Sequence, residues 1–190
     1  MNALYPADVL ATLPTGPHPD WLRPNWPAPA HIHALCTTRA GGVSSAPFDS
    51  FNLGDHVGDT PAAVHANRQL LQTALSSITP GTQPVFLQQV HGTQVVELSA
   101  TPPPFSAAPC ADACATTAAG VACTIMVADC LPVLLTNRQG SAVAAAHAGW
   151  RGLAGVSGVS GVGVLETVFK RFMALTQAQQ AQAAIKNEAF

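Results

Sequence analysis

Charge is scarce in this chain. Only 9% of its 190 residues are Asp, Glu, Lys or Arg, while 48% are hydrophobic. Such a composition describes a globular protein with an unusually bland surface. The formal net charge of -2 supplies no basic footprint, which excludes nucleic acid as an expected partner. Long apolar runs are missing too. None approaches the roughly 18–20 residues needed to span a bilayer, so no membrane partner is expected. The N-terminal stretch MNALYPADVLATLPTG lacks a basic n-region and a continuous apolar core, so it does not read as a secretory signal. The cytoplasm is the expected compartment. There, five cysteines are thiols or metal ligands rather than disulfides. Four of them lie between Cys110 and Cys130, yet no C-x-x-C pair occurs, which argues against a structural zinc ribbon. A chain of 190 residues suits one domain with a sizeable core.

What the sequence does contain is concentrated between Val121 and Gly152, VACTIMVADCLPVLLTNRQGSAVAAAHAGWRG. Two apolar runs there each close on a residue able to bind a metal. Val121 to Val127 predicts a buried strand delivering Asp129 and Cys130, and Ser141 to Ala146 predicts another delivering His147. The polar stretch Thr136 to Gly140 between them is hairpin or loop chemistry. A thiolate and an imidazole at neighbouring strand ends are two of the three protein donors that a catalytic zinc site uses. His91 offers a third, where a strand predicted from Pro84 meets Gly92, before Thr93 to Leu98 resumes the strand pattern. Separations this wide have no local regularity, so spacing alone does not unite the three. A buried cysteine can equally be a small hydrophobe, and a strand histidine a satisfied core residue.

Elsewhere the signals are weaker. Residues 1–30 form a proline-rich arm whose Trp21 and Trp26 pack on the core. His31 to Thr38 alternates like a strand. His31 and His33 would share a face of it, as copper-binding H-x-H pairs do and as partly exposed strand histidines do. Arg39 precedes Gly41-Gly42, whose amides could cradle an anion. Phe48 to Asp59 is a long turn-rich loop containing Asn52, of the kind that often carries function. Ala62 to Ala74 predicts an amphipathic helix with Asn67 and Arg68 on its polar side. Ser99 to Pro109 reads as a surface loop. Arg151 follows a glycine at a predicted helix start, a place for phosphate or carboxylate, or for a surface ion pair. Asp129 could orient a ligating imidazole or cap a strand end. Past a GVSGVSGVG run, Val164 to Leu175 predicts a helix, and the Ala/Gln-rich tail from Thr176 is helical or frayed.

Taken together, TTRAGGVS, FNLGDHVGD, NR, LQQVHGTQV, ADC and HAGWRG resemble the YfiH-type laccase-domain family, described as polyphenol oxidases and later as purine nucleoside phosphorylases. The match covers most of residues 31–155 in the family's order, and the combination is specific although each piece is short. The resemblance implies an α/β (α+β) fold, one compact domain with mixed sheets flanked by helices. It divides the chain into the arm of residues 1–30 and a metal-binding catalytic domain over 31–190. It implies one metal held by His91, Cys130 and His147, with zinc expected and copper as the alternative. Arg39 falls on the arginine that the family places near its substrate pocket. Asn52 and Arg151 complete the candidate substrate-binding set, with Asp129 and Asp112 behind the ligands. Two departures stand out. The glycine run is longer than the family's link between HAGWRG and its helix, and the family's C-terminal portion, a Gly-Pro-rich strand and turn, does not follow.

The activity implied is zinc-dependent phosphorolysis of adenosine, inosine and S-methyl-5'-thioadenosine, with adenosine deamination as a second reaction. Purine nucleosides and phosphate would be the partners, with a homo-oligomer one expectation. In this scheme Arg39 or Arg151 holds phosphate, and Asp112 and Asp129 are the candidate general acids. Three other readings use the same residues. A copper polyphenol oxidase suits a cysteine with two histidines, but seven scattered histidines supply no separate oxygen-reducing cluster. A hydrolase editing cell-wall (peptidoglycan) precursors would use Cys130 as nucleophile and a histidine as base. A truncated, inactive member would bind metal or a partner without turnover.

Overall fold

The computed structural model describes residues 16–101, 103–155 and 162–188. The expected fold class is observed: a mixed α/β protein with two sheets and flanking helices. The chain divides into two compact units, one of residues 1–27 and 33–83, the other of residues 28–32 and 84–190. Most of the GVSGVSGVG run, residues 156–161, lies outside the described residues.

The first unit is built on helix α1, Pro61–Ile78, which opens behind Thr60 with proline at its first position, where a missing N–H costs nothing. Its buried face includes Ala63, Val64, Leu71 and Ala74. Asn67 and Arg68, expected on the polar side, are buried instead. The reason is the long loop beside them, which has no ladder to satisfy its backbone. Asn67 Oδ1 accepts from Val43 N at 2.9 Å, and its Nδ2 donates to Ser44 Oγ at 2.9 Å and Asn52 O at 2.8 Å. Arg68 Nε donates to Leu53 O at 3.0 Å, and its guanidinium pairs with Asp55 at 3.3 Å. Trp21 packs on Phe51 with ring centroids 5.1 Å apart. The strand expected over His31 to Thr38 does not form. One isolated bridge, Leu22 to Cys36, is its remnant, because Ile32 N turns back to Pro29 O. The His31-x-His33 pair therefore has no strand face to share.

In the second unit a four-stranded sheet has the order β2-β3-β6-β5: Val95–Glu97, Ala113–Thr116, Val143–Ala148 and Leu131–Thr136. β2 and β3 are parallel; β3, β6 and β5 are antiparallel. A smaller sheet pairs β1, Gln83–Val85, with β4, Val121–Cys123. The central β6 reads VAAAHA. Its alanines let helix α3, Val164–Glu188, approach closely: Ala144, Ala146 and Ala148 meet Val164, Val168 and Phe172. The short helix α2, Trp150–Ala154, follows β6 directly. α3 runs well past Leu175 because alanine and glutamine sustain a helix.

Two strand expectations are corrected here. The run from Val121 stops as a strand at Cys123, and the strand paired with β6 begins after Cys130, at Leu131. Pro132 disguises it in the sequence. Proline is tolerated because β5 lies at the sheet edge. Likewise, the predicted strand from Pro84 to the glycine after His91 ends at Val85, and only the bridge Gln88 to Cys110 continues it.

Candidate metal centre

Strand alternation sets the first pair. Ala113 and Ala115 of β3 face α3, so Cys114 faces the opposite side with Ala145. By the same parity Asp112, one residue before β3, and His147 in β6 share that opposite side. Their register is fixed by Ala113 against Ala146 and extended when His147 N donates to Asp112 O at 2.7 Å. The side chains then meet, His147 Nδ1 lying 2.9 Å from Asp112 Oδ1, both buried. With Nδ1 engaged, Nε2 is the nitrogen left to bind a metal.

The same carboxylate gathers the second histidine. Asp112 accepts from the backbone N–H of Val90 (3.1 Å), His91 (2.8 Å) and Gly92 (2.7 Å). Three consecutive amides converging on one group force a tight turn, and His91 takes a left-handed φ of 59°. That conformation costs a side-chain-bearing residue about 1–2 kcal/mol, which the amide bonds to a buried anion offset. Burial alone would raise the Asp112 pKa. The hydrogen bond from His147 and the amides of Gly92, Val90 and His91 outweigh it and hold the carboxyl below the usual range.

Cys130 arrives from a third segment. Leu131 pairs with Ala148 in the β5–β6 register, which sets Cys130 beside Gly149. The irregular residues before it are clamped by Gln89, whose amide donates to Met126 O at 2.7 Å and accepts from Met126 N at 2.8 Å. Cys130 Sγ lies 3.7 Å from His91 Nε2, and the His91 and His147 rings are 4.6 Å apart at 70°. The ligand atoms of His91, Cys130 and His147 all fall within 4.8 Å of one another. Tetrahedral zinc, with bonds of about 2.0–2.3 Å, needs donors roughly 3.3–3.7 Å apart, so the set fits with small adjustments. The donor chemistry fits as well, one sulfur and two imidazoles with a carboxylate behind one ring. Partial burial, Asp129 and then Asp112 push the Cys130 thiol above its ordinary pKa, so a metal must displace a proton to bind it.

The remaining candidates are placed differently. Asp129 accepts from Cys130 Sγ at 3.6 Å and orients neither imidazole; Asp112 does that for His147. Asp112 in turn has its oxygens committed to four donors, which suits it for holding groups rather than releasing a proton. Arg39 Nε donates to Asp49 O at 2.6 Å and its guanidinium also reaches Pro47 O and the Asp49 carboxylate. Asn52 closes on Gly54 and Asp59 within its own loop. Arg151, in α2, stacks its guanidinium 5.1 Å from the centre of the Trp150 ring. The Gly41-Gly42 turn is not a free anion cradle, since Gly42 N donates to Ser50 Oγ and Val43 N to Asn67. Gln89 went unrecognised in the sequence. Its only mark there is a glutamine interrupting an apolar strand pattern, which ordinarily signals solvent.

Fold and site together define a mixed α/β protein with a Cys-His-His cluster whose three donors could hold a metal. Residues 33–186 match the family described as multi-copper polyphenol oxidoreductase laccase, and the chain belongs to that family. It is similar to a purine nucleoside phosphorylase, PA4543, of Pseudomonas aeruginosa, 56% identical over 131 residues, covering 69% of this chain and 50% of the relative. The purine nucleoside phosphorylase of Haemophilus influenzae is 49% identical over 154 residues, 80% of this chain and 57% of the relative. Among solved structures, the Neisseria meningitidis protein NMB0706 aligns with a TM-score of 0.68 at 44% identity, covering 80% of this chain and 57% of its own. YlmD from Geobacillus stearothermophilus aligns at 0.62 and 36%, covering 71% and 52%. The chain thus spans about half the length of the curated relatives it matches.

Proposed function

We propose that this chain carries the metal centre of a zinc-dependent purine nucleoside phosphorylase, acting on adenosine, inosine and S-methyl-5'-thioadenosine, with adenosine deamination as a second activity. The observation that carries the reading is the count and kind of donors. Three side chains, not four, form the cluster among the described residues, and catalytic zinc sites keep three protein ligands where structural sites use four. The names of the relatives support purine nucleoside phosphorolysis as the chemistry.

When bound, the metal supplies Lewis-acid activation of a water or of a substrate oxygen. The protein's own part is positioning. Asp112 fixes the His147 tautomer and the His91 turn together, so both imidazoles are presented without reorganisation. His91 is exposed and Cys130 half-buried, so the cluster is open to a small molecule. Val90, Val127, Leu131, Trp150 and Leu153 are exposed apolar residues within a few positions of the donors, a surface suited to a nucleobase. Of the two arginines expected to hold phosphate, Arg39 commits its guanidinium to its own loop. Arg151 meets only the Trp150 ring among the described residues, so it is the better anion partner.

The 3.7 Å approach of Cys130 to His91 also suits a thiol–imidazole hydrolase. A thiol pushed above its ordinary pKa opposes that use, because the thiolate is the nucleophile. Phosphate-dependent release of hypoxanthine from inosine by the purified chain is expected to vanish with chelator and to return with zinc. Release that survives Cys130→Ala would overturn the assignment.

A further inference from the structure

We infer that Gly149 is a positioning residue for the metal centre, preserving by its missing side chain the approach of His91 to Cys130; this rests on the metal reading above. Gly149 joins β6 to α2 as the helix N-cap, with φ −70° and ψ 158°. That is extended backbone open to any residue, so conformation does not call for glycine here. Capping does not call for it either. No side chain caps α2, and serine, aspartate or asparagine would do so better.

Space does call for it. A Cβ at Gly149 would lie 2.9 Å from His91 Cδ2 and 3.0 Å from Cys130 Sγ. Both contacts are closer than carbon comfortably allows, and both are with metal donors from different segments. His91 is rooted by its own amide on Asp112, and Cys130 by the start of β5, so relief must come from turning the two side chains apart. A shift of a few tenths of an ångström costs the fold little. It costs coordination much more, because ligand distances tolerate only about 0.2 Å. Gly149 therefore separates two properties that usually fall together. Substitution should leave the metal-free protein nearly as stable while weakening its hold on metal.

Titration of the full chain with cobalt(II), read by the thiolate-to-cobalt absorption band, with zinc affinity measured by chelator competition, tests this. Wild type is expected to bind one equivalent. Gly149→Ala and Gly149→Ser are expected to bind at least tenfold more weakly with a shifted or absent thiolate band, and with metal-free melting temperatures close to wild type. Equal affinity and an unchanged band in Gly149→Ala would overturn the inference and leave the metal reading standing. Wild-type protein that bound neither ion would remove both. Should Gly149→Ala fail to fold, the same substitution in a His91→Ala, Cys130→Ala background decides. Recovery of folding when both side chains are removed supports the clash, and failure in both backgrounds overturns it.

Discussion

At the scale of single residues, Asp112 matters most. One fully buried carboxylate accepts from His147 Nδ1 and from three successive backbone amides. Asp112→Ala would leave those donors buried and unpaired, and chemical denaturation is expected to show a loss of about 3–5 kcal/mol. Asp112→Asn keeps the shape but turns an N–H group toward donors. It is expected to weaken zinc binding by about 10–100-fold, the usual cost of losing a partner behind a ligand, measurable by chelator competition. The pH dependence has a definite sign. Because the folded-state pKa of Asp112 lies below its ordinary value, its contribution is fully present above the ordinary carboxylate range near about 4. It is lost as pH falls through the lowered value. Metal-free protein melted across acid pH should lose stability there, and Asp112→Asn should flatten that limb of the curve.

At the scale of elements, the segment before Cys130 has no ladder, and Gln89 substitutes for one with two hydrogen bonds to Met126. Gln89→Ala is expected to loosen Cys130 more than either histidine. Alkylation of Cys130 in the zinc-loaded variant should be at least several-fold faster than in zinc-loaded wild type. This element also shows what the sequence could disclose. β6 was legible, since five of the six residues before Gly149 are valine or alanine, and α1 and α3 followed from apolar spacing. β5 was not, because Pro132 argues against a strand until the edge position is known. The His31 to Thr38 alternation misled for the opposite reason: it had strand periodicity and no neighbouring strand to pair with. The three donors could be named from motif resemblance. Their convergence depends on register, which places Asp112 opposite His147, and no local pattern encodes that. Asn67 and Arg68 looked solvated because the loop that buries them lies outside their own helix.

At the scale of the whole molecule, His91, Cys130 and His147 come from three stretches, 39 and 17 positions apart along the chain, so a metal binding all three should act as a cross-link. Zinc at about 100 times its dissociation constant is expected to stabilise the chain by about 2.7 kcal/mol, read as a rise in melting temperature that EDTA reverses. His147→Ala should abolish the rise. No helix among the described residues is long and apolar enough to cross a membrane. The shared anchorage of two ligands has one more effect. The His91 turn and the His147 ring hang from one carboxylate that keeps its charge to lower pH than an ordinary acid, whereas the Cys130 thiol regains its proton readily. Mild acid should therefore expel the ion while both imidazoles stay where they are, leaving a berth that refills when the pH is restored.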